Sequence, residues 1–555
     1  MADEKDATAS PETGGATIYD IAVVGLGPVG QSLALLLALK GHNVVVIEKQ
    51  TVPYPLPRAV HYDPDISRLL DQLGLADYME NFAVPSDVYE WQTKDRQTML
   101  QFPFPAMSDQ GWPGSSMFNQ PGLEESLRER GKDFPNLKVY RGTEVVGLSQ
   151  SEDFVTLNIS SRTLKHRSLK AKYAIGADGA KSLVRDYMNT SVEDLGFFYD
   201  WLIVDIIPAD KNYKFAPDNL QICDPDRPTT HVSAGPGRRR FEYMRMPQDN
   251  MDTFNTDEFA WEQLNNWGFT KDNCELERRA IYTFQARWAT AWRDRRIFLA
   301  GDAAHQMPPF FGQGMVSGMR DSVNLAWKLD LVLKGVASDE LLDTYESERS
   351  AHVQHAIGMS VELGKVICET NPEAVAARDA HFLEKGPRPE DALPPVPEER
   401  LGNGAFATAD VHDDPLAGLI SVQGNVVPLT SGGGISRNYD DAAPVLLDRL
   451  TDRATSVVCD GRVVDAATAE ELAAALPAEI EAVVIRVVAS PENASADEQV
   501  ITVTDPSHRY FPLFDSNASC GVVVRPDYYY YGSAGTAAEL KQLIESIPAN
   551  YRLSR

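Results

Sequence analysis

Residues 25–48 read GLGPVGQSLALLLALKGHNVVVIE, and this stretch decides the first layer of the fold. YDIAVV (19–24) precedes it as an apolar run of strand length. Residues 29–40 have the length and composition of a buried helix, and NVVVI (43–47) is a second β-branched run. Strand, glycine turn, helix and strand form one βαβ unit of about 30 residues. Gly25, Gly27 and Gly30 satisfy G-x-G-x-x-G within it. Gly25 permits the tight turn, Gly27 lets the backbone approach a pyrophosphate, and Gly30 lets helix and strand pack closely. The helix N-terminus offers free N–H groups and partial positive charge to phosphates. Glu48 closes the second strand about 20 residues on, where an acid accepts ribose hydroxyls. The unit predicts a dinucleotide site.

Two later segments select a flavin. YAIGADGAKSLVR (173–185) is an apolar run ending at Asp178-Gly179. RIFLAGDAAHQMPPFFGQGMVSGMRDSVNLAWKL (296–329) runs from a strand into Gly301-Asp302, a Pro308-Pro309 turn, a glycine-rich loop and a helix opening near Gly314. Asp302 at a strand end can accept a ribityl hydroxyl. N–H groups of Gly314 and Met315, at a helix start, suit negative charge on a reduced isoalloxazine.

Composition narrows the function class. The 555 residues carry 80 acidic and 52 basic side chains, a net charge of −28. Phosphate backbones and anionic membranes need cationic surfaces, so neither nucleic acid nor membrane is expected as a partner. No apolar run approaches the roughly 18 residues of a membrane span. Residues 1–17 are polar and acidic, without a signal-peptide pattern, and read as a disordered arm. Cys223, Cys274, Cys368, Cys459 and Cys520 are scattered. That fits reduced thiols in a cytoplasmic protein and gives no metal site.

The three glycine segments, in this order and spacing, resemble the single-component FAD-dependent aromatic hydroxylases, from about residue 19 to about residue 350. PRAVHYDPD (57–65), FNQPGLEESL (118–127), ICDPDRP, RRRFEYMRMP and GMRDSVNLAWKLDLVLKG look most like the 3-(3-hydroxyphenyl)propionate hydroxylase branch. The resemblance implies FAD as cofactor, with NADH or NADPH as a transient electron donor. It implies that O2 adds at flavin C4a and that the hydroperoxide attacks a phenolic ring ortho to its hydroxyl. It implies a homodimer acting on a small aromatic substrate. The implied cofactor-binding residues are Gly25, Gly27, Pro28, Gly30, Glu48, Lys49, Arg58, Gln120, Val145, Asp178, Gly301, Asp302, Pro309, Gly312, Gly314, Met315 and Val316. Val316 stands where the family usually has asparagine, which removes an amide near the flavin edge.

A phenol has a pKa near 10, so a base or strong acceptor near its hydroxyl would help. His61 and Asp63, just after Arg58, are candidates, and Tyr282 and Arg287 are alternatives for orienting the phenol. His305 is expected to hold its loop. His61, Trp201, Arg240, Tyr243 and Pro309 are the candidate substrate contacts, with Arg240, Arg245 and Arg287 as candidate cations for a propionate. The alternatives are a hydroxylase of polycyclic aromatic polyketides, a non-hydroxylating flavin oxidoreductase or halogenase, and a non-enzymatic flavoprotein. The W-x-W-x-I-P stretch of halogenases is absent.

The expected architecture is α/β. A Rossmann-like FAD-binding domain (18–90, 110–195 and 280–375) is interleaved with a mixed-sheet substrate domain (91–109 and 196–279). A proline-rich linker (376–410) follows. Short strands alternating with helices over 411–555 resemble the thioredoxin-like domain appended to this branch. Cys459 and Cys520 lie 61 residues apart in sequence and give it no redox pair.

Overall fold

The computed structural model describes residues 18–53, 55, 57–162, 167–394, 398–429, 443–490 and 500–554. The expected arm at 1–17 lies outside them. Among the described residues no helix is long and apolar enough to cross a membrane, and no cluster of side chains could hold a metal ion.

The first sheet is built outward from Ile18–Val24. This strand pairs in parallel with Val44–Glu48 on one side and Arg167–Gly176 on the other. Leu137–Arg141 extends one flank, and Ile297–Leu299 with Arg293–Asp294 extends the other. The strand order therefore reverses at Ile18–Val24, where a crevice opens at the carboxyl ends of such sheets. Val24 pairs with both Ile47 and Gly176, and Gly176 pairs with Leu299. Three glycine segments far apart in sequence thus end at one level. Helix Pro28–Leu39 packs against helix Gly314–Leu333. Gly318 permits that approach, since a Cβ there would lie 2.6 Å from the Val29 side chain and 2.9 Å from the Gly301 Cα.

The second sheet has seven strands, in the order Cys274–Phe284, Tyr199–Pro208, Arg239–Met244, Thr229–Ser233, Asn219–Ile222, Val88–Gln92 and Thr98–Pro103. Its ladders run past the expected boundaries at 90/91 and 279/280, because Tyr199 still pairs with Phe284 and Asn219 with Tyr89. Strand Tyr199–Pro208 divides its side chains between two faces. Leu202, Val204 and Ile206 join Phe241, Tyr243, Ala260 and Leu264 in a core closed by helix Asp257–Asn265. Trp201 and Ile203 face the main core, with Met244.

The C-terminal region forms a third sheet. Thr455–Asp460, Ala482–Val488 and Val500–Thr504 are parallel, and Gly521–Val524, Tyr530–Ala534 and Asn425–Pro428 add antiparallel edges. The stretch expected as a linker is not a free tether. Helix Pro372–Lys385 runs into it, and Leu401, Ala405 and Phe406 are buried. Trp327, Ala337 and Leu341 share one core cluster with Val457, Val484 and Ile544, so the C-terminal sheet packs directly on the first unit.

Candidate active site

The glycine turn fits a pyrophosphate. Gly25 has φ +105°, and a Cβ there would meet the Ala177 carbonyl oxygen at 2.2 Å. A Cβ on Gly30 would meet the Gly25 carbonyl oxygen, also at 2.2 Å. A Cβ on Gly27 would meet no atom within 4 Å, so this side of the turn is open to a ligand. Gly27 is the N-cap of helix Pro28–Leu39 and supplies no side-chain cap, with Pro28 at the first helical position. Glu48, at the end of its strand, accepts from the Leu26 N–H at 2.9 Å, and Lys49 beyond it is exposed. Val145 is buried in strand Thr143–Gln150.

Asp178 is fixed by its own chain. It accepts from Ser182 and from the Leu183 and Val184 N–H groups, capping helix Leu183–Met188. Arg185 then reaches the Ala303 carbonyl at 3.0 Å and ties this helix to the Gly301–Ala303 turn. Asp302 and Pro309 are exposed. His305 is buried against Asp321 at 2.8 Å, which is the expected structural role.

Helix Gly314–Leu333 begins without a side-chain cap, so its first N–H groups are free for an anionic ligand. The Gln313 side chain turns instead to Asp63, at 2.7 Å. Arg320 binds Asp63 at 2.9 Å and Asp65 at 2.6 Å, locking the 61–65 segment to this helix. Burial alone would raise Asp63, but His61 and Arg320 outweigh it and hold its carboxyl below the usual range. His61 Nε2 lies 3.6 Å from Asp63, and its buried Nδ1 has no partner among the described residues. Its ring rests on Gly312, where φ is +70° and a Cβ would lie 2.8 Å from Nδ1. His61 and Asp63 therefore meet the glycine loop. Val316 is fully buried, and Met315 half-buried, in the first turn.

Arg58 belongs to a loop gripped from two sides. Gln120 accepts from the Arg58 and Ala59 N–H groups at 3.0 and 2.8 Å. From the second sheet, Arg240 donates to the carbonyls of Arg58 and Pro57, and Arg278 also donates to Pro57. Arg240 is 2% exposed and bound to both oxygens of Asp205. Four of its five N–H groups are engaged by Asp205, Pro57 and Arg58, so it serves first to hold this loop. Tyr243 faces elsewhere, into the core beneath helix Asp257–Asn265. Trp201 is fully buried and forms an aromatic wall with Phe284 and Phe310, at centroid distances of 5.8 and 5.7 Å. Phe310 belongs to the turn Pro309–Phe311 that leads into the glycine loop. Tyr282 pairs in register with Trp201 and accepts from Arg278. Arg287 lies in a small separate sheet and donates to Gln306 at 2.7 Å.

Sequence reasoning passed over Glu242. Register places it beside Ile203, on the face that carries Trp201, Asp205 and Arg240. Burial pushes its carboxyl up to about 7, with Arg240 opposing and Asp205 adding to the rise.

Known proteins share this architecture. The family described as FAD binding domain matches residues 18–360, and the HcaD C-terminal domain matches 438–550. The chain is 34% identical to a "probable NADH-specific resorcinol 4-hydroxylase" of Rhodococcus jostii RHA1, over 98% of this chain and 97% of the other. It is 32% identical to a 3-(3-hydroxy-phenyl)propionate/3-hydroxycinnamic acid hydroxylase of Comamonas testosteroni, over 73% of this chain and 70% of the other. The crystal structure of p-nitrophenol 4-monooxygenase from Pseudomonas putida DLL-E4 aligns with a TM-score of 0.61 and 26% identity, covering 67% of this chain and 94% of that one. A ternary complex of aklavinone-11 hydroxylase with FAD and aklavinone aligns with a TM-score of 0.72 over 96% of this chain and 99% of that one. At 23% identity that likeness carries the fold alone.

Proposed function

Because this chain belongs to the FAD binding domain family and is a flavin-dependent aromatic monooxygenase, we propose that it hydroxylates a phenol ortho to its hydroxyl group, using NADH or NADPH and O2. The balance is ring C–H, O2, NAD(P)H and a proton giving ring C–OH, water and NAD(P)+. FAD, when bound, carries electrons from the nicotinamide to O2 and delivers one oxygen atom to the ring. The observation that carries the reading is the apposition of two surfaces. The uncapped helix start at Gly314 and the open turn at Gly27 suit the cofactor, while the Trp201–Phe284–Phe310 wall adjoins the same glycine loop.

In this reading Gly25, Gly27, Gly30 and Glu48 take the nucleotide end. Gln120 and Arg240 hold the Arg58 loop in place, and Asp302, Gly312 and Gly314 border the flavin. His61 is the proton acceptor, oriented by Asp63, which is itself fixed by Gln313 and Arg320. The expected aromatic acid required a pocket cation; Arg240 is engaged by Asp205 and two carbonyls, Arg245 pairs with Asp200 at 3.2 Å, and Arg287 donates to Gln306 at 2.7 Å. That favours an uncharged phenol. The similarity to phenylpropionate hydroxylases keeps the aromatic acid as the second reading. Five free, buried cysteines support a cytoplasmic setting. A homodimer completes the reading and is checked by light scattering.

The test measures NADH and NADPH oxidation against a panel of phenols, with hydroxylated product and peroxide both quantified. Stoichiometric product with an uncharged phenol is expected. If no phenol stimulates oxidation of either nucleotide, the hydroxylase reading falls.

A further inference from the structure

Two buried glutamates on the second sheet contrast sharply. Glu90 is saturated, accepting from Gln92 at 2.7 Å, Thr98 at 2.8 Å and Gln101 at 2.7 Å. Glu242 is buried to 8% exposure, yet no described residue donates a hydrogen bond to it. Its nearest cation, Arg240 Nη1, stands 3.8 Å away and is engaged with the Arg58 carbonyl. A carboxylate this buried with no protein donor is costly, and a donor from outside the protein, water or a ligand, would relieve it.

Its position says what that donor is. Glu242 lies one register step, about 7 Å, from Arg240, which grips the Pro57–Arg58 backbone. On its other side, also one step away, Met244 pairs with Trp201 of the aromatic wall. Ile203 and Thr230 flank it across the sheet. The carboxylate thus sits between the loop that carries Arg58 and the aromatic wall beside the glycine loop.

We propose that Glu242 selects the substrate: its carboxylate accepts a hydrogen bond from a ring hydroxyl and rejects aromatic acids, so the site takes uncharged phenols. The proposal rests on the hydroxylase reading and deepens it. A neutral phenol brings the missing O–H donor. An aromatic acid would add a third carboxylate beside Glu242 and Asp205, while Arg240 and Arg278 are already bound to Asp205, Pro57 and Tyr282.

The experiment titrates FAD-loaded protein with 1,3-dihydroxybenzene and with 3-(3-hydroxyphenyl)propionate. Binding is read by the change in flavin absorbance and by calorimetry, for the native protein, Glu242→Gln and Glu242→Ala. Retained flavin absorbance certifies that each variant is folded. The native protein is expected to bind the diol at least tenfold more tightly than the acid. Glu242→Gln is expected to narrow that ratio at least tenfold by admitting the acid, and Glu242→Ala to weaken the diol at least tenfold. A native preference for the acid, or a ratio unchanged in Glu242→Gln, overturns the proposal. If the Glu242-dependent ratio is found but no phenol yields product, selection stands and the hydroxylase reading falls. If product forms but the ratio is unchanged, the hydroxylase reading stands and selection by Glu242 falls.

Discussion

Arg240 holds both oxygens of Asp205, at 2.7 and 3.0 Å, and with the same guanidinium holds the carbonyls of Pro57 and Arg58, at 2.8 and 2.5 Å. One side chain therefore joins the second sheet to the loop that carries Arg58. Arg240→Met leaves Asp205 charged and buried with only Arg278 nearby, at 3.7 Å. Removing one partner of such a pair costs about 3–5 kcal/mol. The expected outcome is a loss of that size in chemical unfolding, together with weaker FAD binding by fluorescence titration. Arg240→Lys is expected to restore only part of either, since an ammonium cannot span four acceptors in one plane.

Gly27 and Gly30 should separate binding from folding. Gly27→Ala adds a methyl group into open space, so the apoprotein is expected to unfold at nearly its native temperature while FAD affinity falls at least tenfold. Gly30→Ala drives a methyl group into the Gly25 carbonyl oxygen, at 2.2 Å. It is expected to lower the melting temperature before any ligand is added. Equal effects of the two on the apoprotein would contradict the assignment of the open side of the turn.

His61→Asn removes the proposed proton acceptor but leaves Asp63 with Arg320 and Gln313. Turnover is expected to fall about 100-fold, within the usual range for general base catalysis, with an altered dependence on pH and FAD still bound. A rate–pH profile identical to the native one would remove His61 from the chemistry.

Glu242 also has a stability signature. Its acid is weaker in the folded protein, near 7, than its ordinary value of 4.5. The folded state therefore holds a proton that the unfolded chain releases, and the residue costs stability as pH rises from about 4.5 to 7. The full penalty, on the order of 3 kcal/mol, applies above that window. Glu242→Gln is accordingly expected to be more stable than the native protein at pH 8 and close to it at pH 5. Thermal unfolding at both values checks the sign.

Glu348 works in the opposite direction. Burial raises its acid, but Arg525 and Lys328 more than reverse this and hold it well below the usual carboxylate range. Its stabilising contribution is complete above the ordinary value of 4.5 and is lost as pH falls through the folded value. Glu348→Gln is expected to cost about 3–5 kcal/mol at pH 7, with the gap to the native protein closing progressively below pH 4.5 in denaturant titrations.

The glycine turns were readable in the sequence because each constraint belongs to the residue itself. A tight turn or a close backbone approach tolerates few other side chains, so Gly25 and Gly30 announce their geometry. Arg240 was misread because its meaning depends on Asp205, on another strand. The signal available was Asp205 itself, a lone carboxylate inside WLIVDIIP, which a buried strand can hold only with a partner. Tyr243 and Glu242 were indistinguishable as to direction, since Arg239–Met244 is buried on both faces and no alternation marks the inward side. Asp178 fits the local motif, and its oxygens also close a helix, a contact that depends on the folded chain.

Helix Gly314–Leu333 serves two masters. Its uncapped first turn follows the glycine loop, while Asn324 and Lys328 meet Glu348, and Asn324 and Arg525 meet Asp527, in a fully buried cluster with the C-terminal sheet. The last quarter of the chain is therefore no detachable appendage. A protein shortened at residue 410 would strip the cover from Trp327 and strand Lys328 and Glu348 without Arg525. Such a product should precipitate and be degraded in cells. Any attempt to engineer a minimal oxygenase from this scaffold has to redesign the back of that helix first.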